Sequence, residues 1–406
     1  MVRERVMIVA AKRTPFGRFR GGLSGLGPLE LVGAATGAIF GGSSGSGRSG
    51  VSVDRESISR VVLGQCLAAG HGMNIARRAI LSCGLPETST GFVVNMMCGS
   101  GLKAMALGAE LIWSGEARAV LAGGVESMSR SPLLVSRPGR GQAVDVGGAL
   151  DSMLVDGLRD IWIDEHMGET AERVSRECGV SREEQDLWAL RSQSLYASAL
   201  EAGFYGDELA EVGGLSVDEH PRPGVTKEDL AALRPVFAEY GTVTAGNSSG
   251  INDGAAVAVL ASESLVRERG WDVLCEWVGC YESGCDPHRM GLGPVYALRG
   301  LLERHGLGWG DIDQLEINEA FGAQVAACVG VLGLGAAASQ GAVGDLRPFV
   351  NPHGGAIALG HPLAASGARL AVHLAWQIAR GRVGVGVCSL CIGGGMGIAA
   401  LLRRPR

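Results

Sequence analysis

Short apolar runs and longer amphipathic stretches alternate along this chain with two different periods. Residues 6–11, 61–63, 93–95, 119–122 and 255–261 read as buried strands of one unit. Residues 277–281, 314–317, 383–390 and 396–402 repeat the pattern as strands of a second unit. Strands alternating with helical stretches in this way predict a layered α/β architecture. Between 127 and 245 the pattern changes. Charged helices are predicted over 170–178 and 181–201, the latter capped by Ser181 with Glu184 at the third helical position. His220-Pro221-Arg222-Pro223-Gly224 fits neither a helix nor a central strand. The chain thus divides into a first half over 1–126 completed by 246–274, an inserted loop domain over 127–245, and a second half over 275–406.

The two halves look like distant copies. Cys98 opens a small-residue helix that leads to Ala119-Val120-Leu121-Ala122-Gly123-Gly124. His361 opens a helix over 365–379 that leads to Gly386-Val387-Cys388-Ser389-Leu390-Cys391. Each half delivers a reactive group at the same place in its pattern.

Asn95-Met96-Met97-Cys98-Gly99-Ser100-Gly101-Leu102-Lys103 is the richest stretch for chemistry. Val93 and Val94 read as the end of a buried strand, and Leu102, Met105, Ala106, Ala109 and Leu111 recur at helical spacing. A sulfur at this junction faces unpaired N–H groups and the positive end of the helix dipole, which favour the thiolate over a free thiol of pKa ~8.5. Gly99 and Gly101 leave room for a ligand against the backbone. A buried structural cysteine is the ordinary alternative.

Three further segments stand toward the C-terminus: Asn318-Glu319-Ala320-Phe321, Gly354-Gly355-Ala356-Ile357-Ala358-Leu359-Gly360-His361-Pro362 and Cys391-Ile392-Gly393-Gly394-Gly395-Met396-Gly397. With the Cys98 stretch they resemble, in order, the catalytic motifs of the thiolase superfamily. Gly123-Gly124-Val125-Glu126-Ser127-Met128, His166-Met167-Gly168 and Thr244-Ala245-Gly246-Asn247-Ser248-Ser249-Gly250 are similar to segments of the same family. The resemblance runs from about Arg13-Thr14-Pro15 to the last strand and implies the thiolase fold: two βαβαβαββ halves in a five-layered αβαβα sandwich, with a loop domain covering coenzyme A.

It also implies an acyltransferase that makes or cleaves 3-ketoacyl-CoA by reversible Claisen condensation, resembling the biosynthetic acetyl-CoA acetyltransferases. Cys98 is then the acyl-carrying nucleophile, His361 the acceptor of its proton, and Cys391 the second acid/base. The N–H groups of Cys98 and Gly393 form one oxyanion hole, and His361 with a water held by Asn318 forms the other. Leu158, His166, Met167, Ser249, Ala320 and Phe321 match positions lining the pantetheine tunnel, and Arg222 one near the adenine. Met290, helped by the Met96-Met97 pair and by Ala364 beside His361, is expected to shorten the acyl pocket. His353 replaces the Asn that many members carry before the Gly-Gly pair, and Ala364 replaces a Gly after the His-Pro.

Composition narrows the rest. A formal charge of −6 without a basic block argues against nucleic acid. Ten scattered cysteines in 406 residues point to a reducing compartment. Arg3, Glu4 and Arg5 run straight into a strand, so no signal peptide is expected, and the most apolar stretch, 325–338, is too short and too broken by glycine to span a bilayer. A cytoplasmic homodimer or homotetramer without membrane contact is expected. The resemblance implies acyl-CoA as the substrate, and neither cofactor nor metal is expected. Cys388 and Cys391 form a CxxC, but no second cysteine pair at ligand spacing accompanies it. The run 43–49 is expected to be a flexible Gly/Ser surface loop.

Four other readings are weighed. A decarboxylating condensing enzyme lacks the second cysteine, and a thiolase-like lipid carrier alters the Asn-Glu-Ala-Phe segment. A non-catalytic CoA-binding protein would not need all four reactive side chains. A degradative 3-ketoacyl-CoA thiolase of broader chain length shares every motif.

Overall fold

The computed structural model describes residues 4–41, 53–140, 146–335 and 349–406. The run 43–49 therefore lies outside the described residues. The principal strands are β1 (Val6–Arg13), β2 (Arg60–Gly64), β3 (Thr90–Val94), β4 (Ala119–Ser127), β5 (Asn252–Ser262), β6 (Cys275–Gly284), β7 (Gln314–Ile317), β8 (Val385–Ile392) and β9 (Met396–Arg403). The principal helices are α1 (Pro28–Phe40), α2 (Ile75–Ser82), α3 (Ser100–Trp113), α4 (Met167–Cys178), α5 (Arg182–Glu201), α6 (Gly293–His305), α7 (Gly322–Val331) and α8 (Leu363–Ala379).

The strands run in the order β7-β8-β9-β6-β1-β5-β4-β2-β3. Parallel pairing joins β2 to β3 and β4, and β7 to β8, where helices make the crossovers. The two halves meet where Val6–Ile8 of β1 pair with Cys275–Trp277 of β6. Read along the chain, the first half is β1-α1-β2-α2-β3-α3-β4 closed by β5. The second half follows the same plan, but its third strand is reduced among the described residues to a single parallel bridge between Val350 and Leu315.

Three cores define five layers. The central core holds α3 and α8 between the inner faces of both sheet halves, with Leu102, Met105 and Ala109 meeting Ala368, Leu370 and Val372. The outer face of the first half packs on α1 and α2 through Leu31, Val32, Ala76 and Ile80. The outer face of the second half packs on α6 and α7 through Leu298, Leu301, Val325 and Cys328. This is the expected αβαβα sandwich. Both central helices are rich in small residues because two sheets converge on them.

Two contacts show how tight that convergence is. A Cβ on Gly101 would lie 2.3 Å from the Ala364 carbonyl oxygen, and one on Gly124 would lie 1.9 Å from the same oxygen. A Cβ on Gly99 would meet Ile392. The glycines beside Cys98 therefore make room for the other half of the protein, not for a ligand as the sequence suggested.

The end of β3 also differs from expectation. Val93 and Val94 are half-buried rather than buried, because β3 is the last strand of the sheet and pairs only with β2. In the inserted segment, Ser181 and Glu184 form the expected reciprocal cap of α5. Both α4 and α5 pack on α7, which seats the insertion over the second half.

Candidate active site

Cys98 follows a tight turn between β3 and α3. Met97 has φ of 48°, a strained left-handed conformation for a side chain of that size. The turn is held by Ser100, whose Oγ accepts from the Met96 N–H at 2.8 Å and donates to the Met97 carbonyl at 2.6 Å. The Asn95 side chain accepts from the Met97 N–H at 3.0 Å. Across the cavity, Cys391 lies near the end of β8. Strand alternation sends Cys388 into the central core and Cys391 into a separate cluster with Met167, Met290, Ala320 and Phe321. The chain then turns through Gly393, Gly394 and Gly395. Gly394 and Gly395 have φ of 87° and 79°, and a Cβ on Gly395 would lie 2.4 Å from the Cys285 carbonyl.

His361 is delivered by Gly360, whose φ of 104° brings its backbone against Asn252. Asn252 Oδ1 accepts from the His361 N–H at 2.9 Å. The ring's Nδ1 is 2.5 Å from Ser366 Oγ, and that hydroxyl donates to the Pro362 carbonyl at 2.9 Å. With its one hydrogen so used, Ser366 accepts from Nδ1–H, leaving the Nε2 lone pair as the group available to the cavity. Asn318 lies behind this ring, its Nδ2 3.5 Å from Nδ1, and its Oδ1 is buried without a hydrogen-bond partner. The cap of α7 is Phe321, so Asn318 is not a helix cap.

A cavity of about 340 Å3, mostly apolar, joins these groups. Cys98, His361, Cys391 and Gly393 line it, together with Leu158, His166, Met167, Arg222, Ser249, Met290, Ala320 and Phe321. Of the expected catalytic and coenzyme A-binding residues, Asn318 does not reach its surface. Met96, Met97 and Ala364 do not line it either, and Ala364 packs instead with Cys66, Leu67 and Met128. Of the residues expected to shorten an acyl pocket, Met290 remains.

The charge states overturn one expectation. Burial pushes the Cys98 thiol up to about 12, although the N–H groups of Gly393 and Cys98 itself point at the sulfur and favour its anion. What surface Cys98 exposes belongs to the cavity, so the helix end does not outweigh desolvation. Burial likewise holds Cys391 well above the usual thiol range and lowers His361 to about 4, with Arg369 adding to the latter. At rest the site is two neutral thiols beside a neutral imidazole, not a thiolate–imidazolium pair.

This has a pH consequence. A histidine with a lowered folded pKa is stabilising when neutral, fully so above its ordinary pKa of about 6.5 and less as pH falls toward the folded value. His361 and His220 sit at about 4 and His353 at about 3, all through burial. Glu126, raised by burial to about 7, works in the opposite direction, as do Glu316 and Asp253, while His71, His166 and His305, also lowered by burial, add to the histidine side. Tm should therefore fall as pH drops from 6.5 toward 4. Acyl transfer should keep its neutral base well below 6.5. A Tm flat across that window, with an activity midpoint at 6.5, would contradict these shifts.

Two site residues escaped the sequence reading. Glu126 is fully buried, and its carboxylate accepts from the N–H groups of Cys66, Leu67 and Ala364 at 3.0–3.2 Å. It thereby stitches the first half to the helix that follows His361, and its presence in the Gly-Gly-Val-Glu-Ser-Met segment was the available signal. Phe237 stacks on His166 at 4.8 Å and meets Phe321 edge-on at 6.1 Å. It sits in an irregular stretch where no periodicity marks it.

Comparison with known proteins gives a consistent picture. Family models described as "Thiolase, N-terminal domain" and "Thiolase, C-terminal domain" match residues 6–264 and 271–404. The acetyl-CoA acetyltransferase of Syntrophomonas wolfei is 41% identical over 412 residues, covering 99% of both chains. That of Pseudomonas aeruginosa is 41% identical over 412 residues, covering 99% of this chain and 100% of its own. Among solved structures, the Bacillus anthracis acetyl-CoA acetyltransferase superposes with a TM-score of 0.89 at 38% identity over 98% of each chain. Human mitochondrial 3-ketoacyl-CoA thiolase in complex with CoA gives 0.89 at 38% identity, over 99% of this chain and 98% of that one.

Proposed function

Because the chain belongs to the thiolase family, we infer that it is an acetyl-CoA C-acyltransferase joining two acetyl-CoA molecules into acetoacetyl-CoA and CoA, and catalysing the reverse. One observation carries the reading: two thiols, an imidazole and inward-pointing N–H groups converge on one apolar cavity.

The neutral resting state suggests how the protons move. As the Cys98 sulfur attacks the acetyl thioester, its proton passes to His361 Nε2, and the developing oxyanion is held by the N–H groups of Cys98 and Gly393. Cys391 gives its proton to the departing CoA thiolate. The acyl-enzyme then holds imidazolium at His361 and thiolate at Cys391. That thiolate removes the α-proton of a second acetyl-CoA, and the enolate attacks the acyl carbon. Cys98 leaves as thiolate and recovers its proton from His361, so all three groups end as they began. No cofactor takes part in this cycle. Mass spectrometry after acetyl-CoA treatment should place one acetyl group on Cys98, and a label on Cys66 or Cys83 would overturn the assignment.

The degradative reading, a 3-ketoacyl-CoA thiolase acting on longer chains, is favoured by the equal likeness to the human enzyme. Met290 argues for the short chain, because it is buried against Cys391, Ala320 and Phe321 at the reacting end of the cavity. Each methylene accepted or refused by such a pocket is worth roughly 1–3 kcal/mol. Met290→Ala should raise kcat/KM on six-carbon substrates about tenfold relative to acetoacetyl-CoA. Wild-type preference for long chains would reverse the assignment.

A homodimer or homotetramer fits the unpartnered edge of β3, where Phe92 stands exposed. Light scattering should give at least a dimer, and Phe92→Lys should weaken it. A fully active wild-type monomer would contradict it. Among the described residues no helix is long and apolar enough to cross a membrane. The ten cysteines, all free, favour a reducing cytoplasm, and condensation of acetyl-CoA into a four-carbon ketoacyl thioester suits a role in lipid metabolism.

A further inference from the structure

Away from the catalytic cavity, four segments meet around a Glu–His–His cluster that the reaction does not use. Glu316 lies in β7, two residues before Asn318. His353 lies in the turn ahead of the short helix Ala356–Leu359. His373 lies within α8, and Glu208 comes from the inserted segment. His373 Nδ1 is 2.8 Å from Glu208 Oε2, so the carboxylate fixes the proton on Nδ1 and leaves the Nε2 lone pair facing away from it. His353 Nδ1 lies 2.9 Å from that Nε2 and donates to it in the metal-free cluster, an N–H that an ion would displace by shifting the His353 proton to Nε2; a Glu316 oxygen lies within 4.8 Å of both ring nitrogens. Glu316 and His373 are buried and His353 is half-buried. None of the three lines the catalytic cavity.

We propose that Glu316, His353 and His373 bind one divalent transition-metal ion of the zinc class, with Glu208 as the outer carboxylate behind His373. Two imidazole nitrogens and one carboxylate oxygen form a donor set that suits such ions. Two nitrogens each about 2.0–2.1 Å from zinc stand roughly 2.9–3.4 Å apart at octahedral to tetrahedral angles, a range that includes the observed spacing. His373 hydrogen-bonded to a carboxylate through its other nitrogen is the usual support for a metal-bound imidazole.

The carboxylates around the cluster are held in place: Arg13 is paired with Glu208 and Asp218 at 2.6 Å, and Arg369 stands 3.7 Å from Glu316 Oε2. Glu316 Oε1 already accepts from Gln314 at 2.8 Å, so the ion takes a single oxygen of Glu316, and water completes its shell. The half-buried His353 is the route in from solvent. An ion here ties β7, α8, the turn leading to His361 and the inserted segment together without touching the reacting atoms.

The test uses the whole purified protein, stripped with EDTA and then dialysed against Zn2+ or Co2+. One equivalent per chain should be retained, and Tm should rise by several degrees and fall again with EDTA. The Co2+ form should show visible ligand-field bands without the near-ultraviolet sulfur-to-cobalt band that a cysteine site would give. His353→Asn introduces the residue that many family members carry there, so the fold should persist while metal affinity drops at least about 100-fold. Binding unchanged in that variant, or a cobalt spectrum with thiolate character, would overturn the site. Absence of stoichiometric metal would overturn it too.

Discussion

Replacing Cys98 with serine should reduce both thiolysis of acetoacetyl-CoA and condensation of acetyl-CoA by roughly 10⁴-fold or more, the scale on which loss of a nucleophile is felt. The hydroxyl fits the turn that Ser100 and Asn95 hold, so the variant should fold and melt near the wild type. What it lacks is acidity and softness. Burial already raises the Cys98 thiol to about 12, and an alcohol placed there lies far beyond the reach of a histidine whose conjugate acid has a pKa of about 4. Thiolysis followed with both variant and wild type, each checked for bound CoA, is sufficient. A Cys98→Ser enzyme within tenfold of wild type would remove the acyl-cysteine from the mechanism.

Changing Cys391 to alanine should divide the reaction in two. Acetyl transfer to Cys98 should persist, slowed only by loss of the proton given to the leaving CoA. Exchange of acetyl-CoA methyl protons with solvent should fall at least about 100-fold, the usual scale of a lost general base and equivalent to ~2.7 kcal/mol of barrier. Deuterium incorporation from D2O and acetyl labelling of Cys98 report the two halves separately. Retained exchange would show that another group takes the α-proton, and His361 would be the first to examine.

Most of the scaffold could be read from the chain because its signals are local. Alternation and helical spacing located the nine main strands and the helices after Cys98 and His361, and Ser181 with Glu184 marked the start of α5. The cavity residues were legible through resemblance, since Gly, Asn and His in those runs say little alone. What was misread depends on how much surrounds a residue, which no local pattern records. Val93 and Val94 look like core residues but stand at a sheet edge. Gly99 and Gly101 look like space for ligand but accept Ile392 and the Ala364 carbonyl. Cys98 looks like a thiolate because its helix end is local, whereas the desolvation that outweighs that end comes from both halves together. Phe237 and the stitching role of Glu126 were hidden for the same reason.

The cavity that gathers Cys98, His361 and Cys391 has a volume of about 340 Å3, near the small end for ligand pockets, with room for one extended thioester arm. Traffic through it must therefore alternate, with the first CoA gone before the second acyl-CoA arrives. Released CoA and incoming acetyl-CoA then contend for the same acylated enzyme, one resetting it and the other carrying it forward. Such a catalyst acts as a ratiometer: its forward flux follows the proportion of acylated to free CoA in its surroundings more than the amount of either.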